Sequence, residues 1–325
     1  MAVREIGGYL GLEDCGGAPY HEGAIALDSA RSCLAYLAEL RGIRSIALPD
    51  LMCSAVPQTC DRVGCMYRTY RVGKDFLPVY DFELADGEWL YLADYYGTLT
   101  AKAVSAALEF ADGRVVVDEV QGFFRRPWVS ADTIYTCRKY FGVPDGAYLT
   151  TCDGSLLNRV LPVCHSSARM AHVLGRAEDG ASAHYAEYSV AEEGIGRNGP
   201  EAMSEVTRRL LSGIDYEHVK EARERNFAVL AEALGQANML DPGVPEGPYM
   251  YPFLVPDANG VRQMMAAEGV FIPMLWPNVS EDPLAGSVAV TYSRNILPLP
   301  VDQRYGAEDM GRLLVVLKDV LGLEQ

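Results

Sequence analysis

Basic residues are scarce in this chain. Lys and Arg number 28 against 44 Asp and Glu, a formal charge of −16 over 325 residues, the wrong sign for gripping a phosphate backbone without a local basic stripe. The sequence contains no such stripe. Long apolar runs are missing as well: nothing approaches the ~18 uninterrupted apolar residues of a membrane span, and the opening Met-Ala-Val-Arg-Glu-Ile-Gly-Gly lacks the apolar core of a signal peptide. The expectation is a cytoplasmic protein with neither nucleic-acid nor membrane partner. Cysteine is absent after residue 164. The eight that exist, Cys15, Cys33, Cys53, Cys60, Cys65, Cys137, Cys152 and Cys164, form no Cys-x-x-Cys and no Cys/His set at zinc-finger spacing, so neither a disulfide framework nor a metal site is expected. What is plentiful is core-forming material. A composition 49% hydrophobic, 10% aromatic and 22% charged excludes intrinsic disorder and fibrous repeats, and the length suggests roughly two domains or one large α/β unit.

From residue 24 onward short apolar runs alternate with helical patterns. Ala24–Leu27 reads as a buried strand, followed by Ala30, Cys33, Leu34 and Leu37 on one helical face, with Ser29 as N-cap and Gly42 as stop. Further strands are predicted at Ile46–Leu48, Met66–Tyr70, Trp89–Ala93, Val115–Val117, Thr133–Thr136 and Ala147–Thr150, with a helix over Thr100–Phe110 among those between them. This alternation predicts a mainly parallel, doubly wound sheet. After residue 151 the pattern becomes poorly periodic, then helical over Pro200–Leu211 and Tyr216–Leu234. The last ninety or so residues mix strands (Tyr249–Leu254, Ser287–Tyr292) with helices (Gly260–Ala267, Ala307–Leu321). We expect a large α/β domain over 1–215 and a small α+β domain over 216–325.

In an open parallel sheet the strand ends share one edge, so residues just after different strands converge on a crevice. Three such positions carry chemistry. Asp28-Ser29-Ala30-Arg31 joins a strand to a helix start, where free N–H groups and the positive end of the dipole favour an anion; alone, it reads first as an ordinary N-cap. Val115-Val116-Val117 runs into Asp118-Glu119-Val120-Gln121, which puts an acid at the sheet edge; alone, Asp118 reads equally as a turn acid. The run resembles a Walker B strand, but no Gly-x-x-x-x-Gly-Lys-Ser/Thr exists in the chain. Lys139, beside Arg138 and bounded by Tyr140 and Phe141, sits where desolvation and a neighbouring cation lower the pKa of an amine and make it a better nucleophile. An anion seat, a strand-end carboxylate and a later strand-end lysine are together the parts needed to hold pyridoxal phosphate.

At these residues the chain resembles the fold-type I pyridoxal-phosphate enzymes, and within them the DegT/DnrJ/EryC1/StrS sugar aminotransferases. Leu27-Asp28-Ser29-Ala30-Arg31-Ser32-Cys33-Leu34 is similar to that family's Ser-Gly-Thr-x-Ala-Leu turn, Asp118-Glu119-Val120-Gln121 to its Asp-x-Ala-Gln, and Lys139 with Gly142 and Asp145-Gly146 to its lysine and Gly-rich sequel. Met203-Ser204-Glu205 and Asn295-Ile296-Leu297-Pro298-Leu299-Pro300 resemble later family segments in the same order. The resemblance implies a fold-type I transferase with pyridoxal 5′-phosphate as cofactor: Lys139 as the Schiff-base lysine and proton shuttle, Asp118 as partner of the ring nitrogen, Gln121 at the ring's polar edge, and Ser29, Ala30, Arg31 and Thr136 about the phosphate. It further implies transfer of an amino group from an amino acid, usually glutamate, to a keto sugar, often nucleotide-linked, in a homodimer. The alternatives are a pyridoxal-phosphate enzyme of another reaction type and a non-catalytic ligand-binding relative; the retained lysine argues against the family's dehydratases, which carry histidine there.

The chain departs from the family at three places. Cys53, in Pro49-Asp50-Leu51-Met52-Cys53, stands where an aromatic usually stacks on the cofactor ring; Ala30-Arg31 replaces Gly-Thr; and the segment between Cys152 and Pro200 is hard to align. Other signals are weaker. Gly194-Ile195-Gly196-Arg197-Asn198-Gly199 has the form Gly-x-Gly-x-x-Gly but follows only the weakly strand-like Tyr188–Glu193, with no βαβ unit behind it. Asp94-Tyr95-Tyr96-Gly97 puts tyrosines near the site or in the core. The five histidines show no metal spacing, with His165 and His184 kept as substrate-site candidates, and Arg294 and Arg304 read as anion binders or ion-pair partners.

Overall fold

The protein is described by a computed structural model over residues 6–323; residues 1–5 of the opening Met-Ala-Val-Arg-Glu-Ile-Gly-Gly lie outside the described residues. In chain order the elements are β1 (Ile25–Leu27), α1 (Ala30–Arg41), β2 (Ser45–Pro49), α2 (Ala55–Val63), β3 (Met66–Tyr70), β4 (Trp89–Ala93), α3 (Ala101–Phe110), β5 (Val115–Asp118), β6 (Asp132–Thr136) and β7 (Ala147–Thr150). There follow α4 (Ala171–Asp179), α5 (Tyr185–Gly194), α6 (Glu205–Ser212), α7 (Tyr216–Leu234), β8 (Met250–Leu254), α8 (Ala258–Ala267), α9 (Ser287–Asn295), β9 (Ile296–Pro300) and α10 (Ala307–Leu321).

The first seven strands form one sheet in the order β1-β7-β6-β5-β4-β2-β3. The pairs among β2 to β6 are parallel, and their continuous apolar runs, such as Val115-Val116-Val117, are buried because helices cover both faces. The expected doubly wound sheet departs from full parallelism at β7, which is antiparallel to both β6 and β1. The reason is the connection: the turn from β6 to β7 carries no helix to make the crossover that parallel neighbours need. Since β1 and β6 are each antiparallel to β7, they point the same way, and the C-terminal ends of β1, β5 and β6 meet at one edge.

The local signals at α1 operate as the sequence suggests. Ser29 Oγ accepts from the Ser32 N–H at 3.2 Å, and Gly42 ends the helix at φ 65°, the left-handed conformation that glycine adopts at little cost. Two expectations are corrected. Ser287–Tyr292 is helical, within α9: its apolar residues alternate along the sequence, but the buried set is Ala289, Tyr292 and Ser293, the spacing of a helix face. Tyr188–Glu193 likewise belongs to α5, whose single buried residue is Ala191.

A second apolar core gathers around the two-stranded sheet of β8 and β9. Phe227 and Leu230 of α7, Tyr251 and Phe253 of β8, Leu297 and Leu299 of β9, and Leu313 and Leu317 of α10 are buried together. Among the described residues, no helix is long and apolar enough to cross a membrane.

Candidate active site at the sheet edge

All of the predicted site residues except Gln121 line one cavity of about 150 Å³ at the shared strand edge. Asp118 ends the central strand β5. The apolar run before it carries its carboxylate into a place only 5% exposed, where the Val120 N–H donates to Oδ1 at 2.9 Å and the Tyr91 hydroxyl to Oδ2 at 2.8 Å. Burial pushes the Asp118 carboxyl above its ordinary value, while the Lys139 ammonium and these two donors oppose that shift. Lys139 stands in the turn just after β6. Burial lowers its pKa, with Asp118 the main opposing charge, and Nζ lies 5.4 Å from the centroid of the Tyr249 ring. Among the described residues no hydrogen bond ties Nζ down. An amine whose pKa burial lowers, in one cavity with a carboxylate held by two donors, has the chemistry for nucleophilic attack and proton transfer.

The N-terminus of α1 forms another wall through Ser29, Ala30 and Arg31, and Thr136 closes the cavity from the end of β6. Arg31 turns toward α5, donating from Nη1 to the carbonyls of Glu192 at 3.1 Å and Ile195 at 2.8 Å. Cys53, exposed in the turn between β2 and α2, faces the same space. Gln121 is buried elsewhere: its Oε1 accepts from the Tyr96 N–H at 3.0 Å, tying the loop after β5 to the loop after β4. Neither Tyr95 nor Tyr96 lines the cavity. Tyr95 donates to the Leu51 carbonyl at 2.6 Å, and both rings pack against Phe76 and Trp276.

Sequence reasoning missed Tyr91, Glu192, Ile195 and Tyr249. Tyr91 had a legible signal, a hydroxyl inside a buried strand whose register sets Ala93 opposite Asp118, so that Tyr91 and Asp118 share a face of the sheet. Glu192 had none, because only the tertiary fold brings α5 to this edge. The glycine-rich segment after α5 packs against the start of α1 rather than cradling a dinucleotide. A Cβ on Gly196 would sit 2.9 Å from Ser29 Oγ, and the Ser32 hydroxyl donates to the Gly199 carbonyl at 3.2 Å. His165 and His184 lie away from the cavity, His184 contacting Asp179 at 3.1 Å; Arg304 is paired with Asp302 at 2.6 Å. A larger hollow of about 1090 Å³ lies near Lys74, Tyr96, Arg125 and Tyr292. It is the larger of the two, but its lining lacks the lysine and buried strand-end carboxylate that the smaller cavity brings together.

No family model matches the chain, and no curated protein matches it in sequence. Solved structures do resemble it. The sugar aminotransferase CalS13 from Micromonospora echinospora superposes with a TM-score of 0.64 at 12% identity, over 91% of this chain and 87% of that one. A DegT DnrJ EryC1 StrS aminotransferase from Brucella abortus gives 0.61 at 15% identity, over 91% and 85%. NtdA from Bacillus subtilis, with bound cofactor PMP, gives 0.66 at 11%, over 92% and 73%. The chain has the fold of these aminotransferases, as the sequence resemblance implied.

Proposed function

We propose that this chain is a pyridoxal-phosphate-dependent aminotransferase that moves an amino group from an amino acid, glutamate in the first instance, to a keto sugar. The observation that carries the reading is the convergence of Lys139 and Asp118 in one cavity beside the N-terminus of α1. The similar fold of NtdA, which holds PMP, adds weight to the choice of cofactor. The residues present fit that group by chemistry: a lysine with no hydrogen-bond partner among the described residues for an aldehyde, a buried carboxylate for a ring nitrogen, and cationic and hydroxyl groups about a helix start for a phosphate. When bound, the cofactor supplies an aldehyde carbon and a protonated, electron-withdrawing ring.

The chain's own residues do the rest. Burial favours the neutral amine of Lys139, which can attack and afterwards carry a proton at Nζ. Asp118 holds a proton on its bound partner because Tyr91 and Val120 keep its oxygens oriented and water is scarce at a site 5% exposed. Ser29, Ala30, Arg31 and Thr136 would anchor an anionic tail and so set the reacting atom against Lys139.

The same reading divides the chain into a cofactor domain over 1–215 and a smaller domain over 216–325. It also calls for a homodimer, for which the exposed Ile6, Tyr9 and Leu10 offer apolar surface to a second copy. The test is spectroscopic and chemical. Added pyridoxal phosphate should give the protein a visible absorbance band, and borohydride reduction followed by peptide mapping should tag Lys139. A tag on another lysine, or none at saturating cofactor, overturns the assignment. A survey of amino donors against nucleotide-linked and free keto sugars then identifies the substrates.

A further inference from the structure

One short segment, Glu192–Gly199, supplies the oxygens that meet the Arg31 and Arg138 guanidinium groups at this cavity, and one that meets Ser32 beside it. The Glu192 and Ile195 carbonyls accept from Arg31 Nη1, at 3.1 and 2.8 Å, and the Gly199 carbonyl accepts from Ser32 Oγ. The Glu192 carboxylate is ion-paired with Arg138 through Oε1, and its Oε2 stands 4.0 Å from Arg31 Nη2. Gly196, at φ +67°, allows the chain to lie this close to the helix start. Two guanidinium groups, those of Arg138 and Arg31, thus face a carboxylate that belongs to the protein itself. Burial alone would raise the Glu192 carboxyl, yet Arg138, Arg31 and Lys139 hold it below its ordinary value, so it remains an anion at neutral pH.

The arrangement leaves part of the donor set unused. Among the described residues Arg138 Nε is buried with no acceptor, although a guanidinium offers a fork of N–H groups matched to two oxygens of one oxyanion. The cavity is also small. Its 150 Å³ is about half the lower end of the range for small-molecule sites, and the Glu192–Gly199 segment fills the adjoining space over α1.

We infer that Arg138 and Arg31 form an oxyanion seat beside Lys139, and that Glu192 is its intramolecular occupant, exchanged for the phosphate or carboxylate of an incoming ligand. The two sources share the chemistry of several equivalent oxygens with negative charge, the cofactor's phosphate being one and the amino donor's carboxylate the other. The inference rests on the proposed function only for the choice between them. Displacement of Glu192 would release the segment after α5 and enlarge the cavity.

The experiment measures binding of inorganic phosphate to the full-length protein by calorimetry. Glu192→Gln should bind phosphate about ten- to a hundredfold more tightly than the parent, the scale of a hydrogen-bonded charged group, and Arg138→Gln in that background should remove the gain. A change within about twofold, or a gain that survives Arg138→Gln, overturns the seat. Should Glu192→Gln fail to fold by circular dichroism, Glu192→Asp, which keeps the charge but withdraws it from Arg138, should give a smaller gain, and no gain there also overturns the seat. Parallel titrations with glutamate, pyridoxal phosphate and pyridoxal separate the sources. A gain for phosphate and pyridoxal phosphate but not pyridoxal assigns the seat to the phosphate, whereas a gain for glutamate alone assigns it to the donor carboxylate. Loss of pyridoxal phosphate binding in every variant with the phosphate gain intact refutes the proposed cofactor and leaves the seat standing. A tagged Lys139 with no gain for any anion refutes the seat and leaves the cofactor standing.

Discussion

Among the described residues, the buried polar side chains packed against the β8 and β9 core are used with one exception, Arg262 Nε, whereas some at the C-terminal edge of β5 and β6 are not. Asn226 donates from Nδ2 to the carbonyls of Val301, Asp302 and Tyr305, and Asn238 donates to Pro252 and accepts from the N–H groups of Leu240 and Leu254. At the sheet edge Asp28 Oδ1 and Arg138 Nε are buried without partners among the described residues. An unpaired buried polar atom costs free energy that folding alone gives no reason to spend. The first region is built to be stable. The second holds charges in unfavourable surroundings, the condition under which amines and carboxylates acquire altered reactivity.

The comparison is broken most directly at Lys139. Lys139→Ala should lower turnover by about a thousandfold or more, while unfolding free energy changes far less than on a core truncation, because among the described residues Nζ makes no hydrogen bond. A loss of stability comparable to a core truncation would show that Lys139 is a structural group. Asp118→Asn should cost about a hundred- to a thousandfold in turnover per bound cofactor. Lost stability with near-normal specific activity in the folded fraction would reduce Asp118 to a turn acid. In the other region Phe253→Ala should cost about 3–5 kcal/mol of stability in urea, with an unchanged cofactor absorbance band in whatever remains folded.

His21 sharpens the comparison, since it is buried and titratable yet held structurally. Its ring stacks on Tyr135 with centroids 3.8 Å apart and Nε2 meets the Phe123 carbonyl at 2.8 Å. Burial pushes its pKa down to about 4. The unfolded chain binds a proton near pH 6.5 and the folded chain does not until about pH 4, so stability is lost as pH falls through that interval. Urea unfolding at pH 7 and 4.5 should show the parent losing about 2–3 kcal/mol more than His21→Gln over that range. Equal losses would place the acid sensitivity elsewhere.

Much of this was legible because the signals are local. Ser29 and Gly42 bound α1, the Val115–Val117 run marks a buried central strand, and the strand-edge rule then gathers Ser29, Asp118 and Lys139 without a structure. Ser287–Tyr292 misled because alternating apolar residues suit a strand or a short helix until packing decides. Gln121 follows Asp118 closely in sequence, but the chain turns after β5 and hands its amide to Tyr96. Glu192 was beyond reach, since its pairing with Arg138 spans 54 residues and depends on how α5 returns to the sheet. Residues that act where their own strand ends could be read from sequence; those delivered by a distant helix could not.

The smallest effect is expected at Cys53, where the two regions' logic meets: a site residue whose replacement adds packing rather than charge. Cys53 lines the cavity and is exposed, while Tyr95 and Tyr96, the nearby rings that could have filled an aromatic's place, are turned into the cluster with Phe76 and Trp276. Stacking of an aromatic on a planar ring is worth about 0.5–1.5 kcal/mol, roughly three- to tenfold in affinity. Cys53→Phe should therefore tighten pyridoxal phosphate and pyridoxal by the same factor, because the ring is common to both. Thr136→Ala or a bulky residue at Ala30 should weaken pyridoxal phosphate more than pyridoxal, because only the former carries the phosphate. Titration of each variant with both compounds separates ring contacts from phosphate contacts. No response at Cys53, or equal losses of both compounds at Thr136 and Ala30, would mean that these walls of the cavity do not face the parts of the cofactor assigned to them.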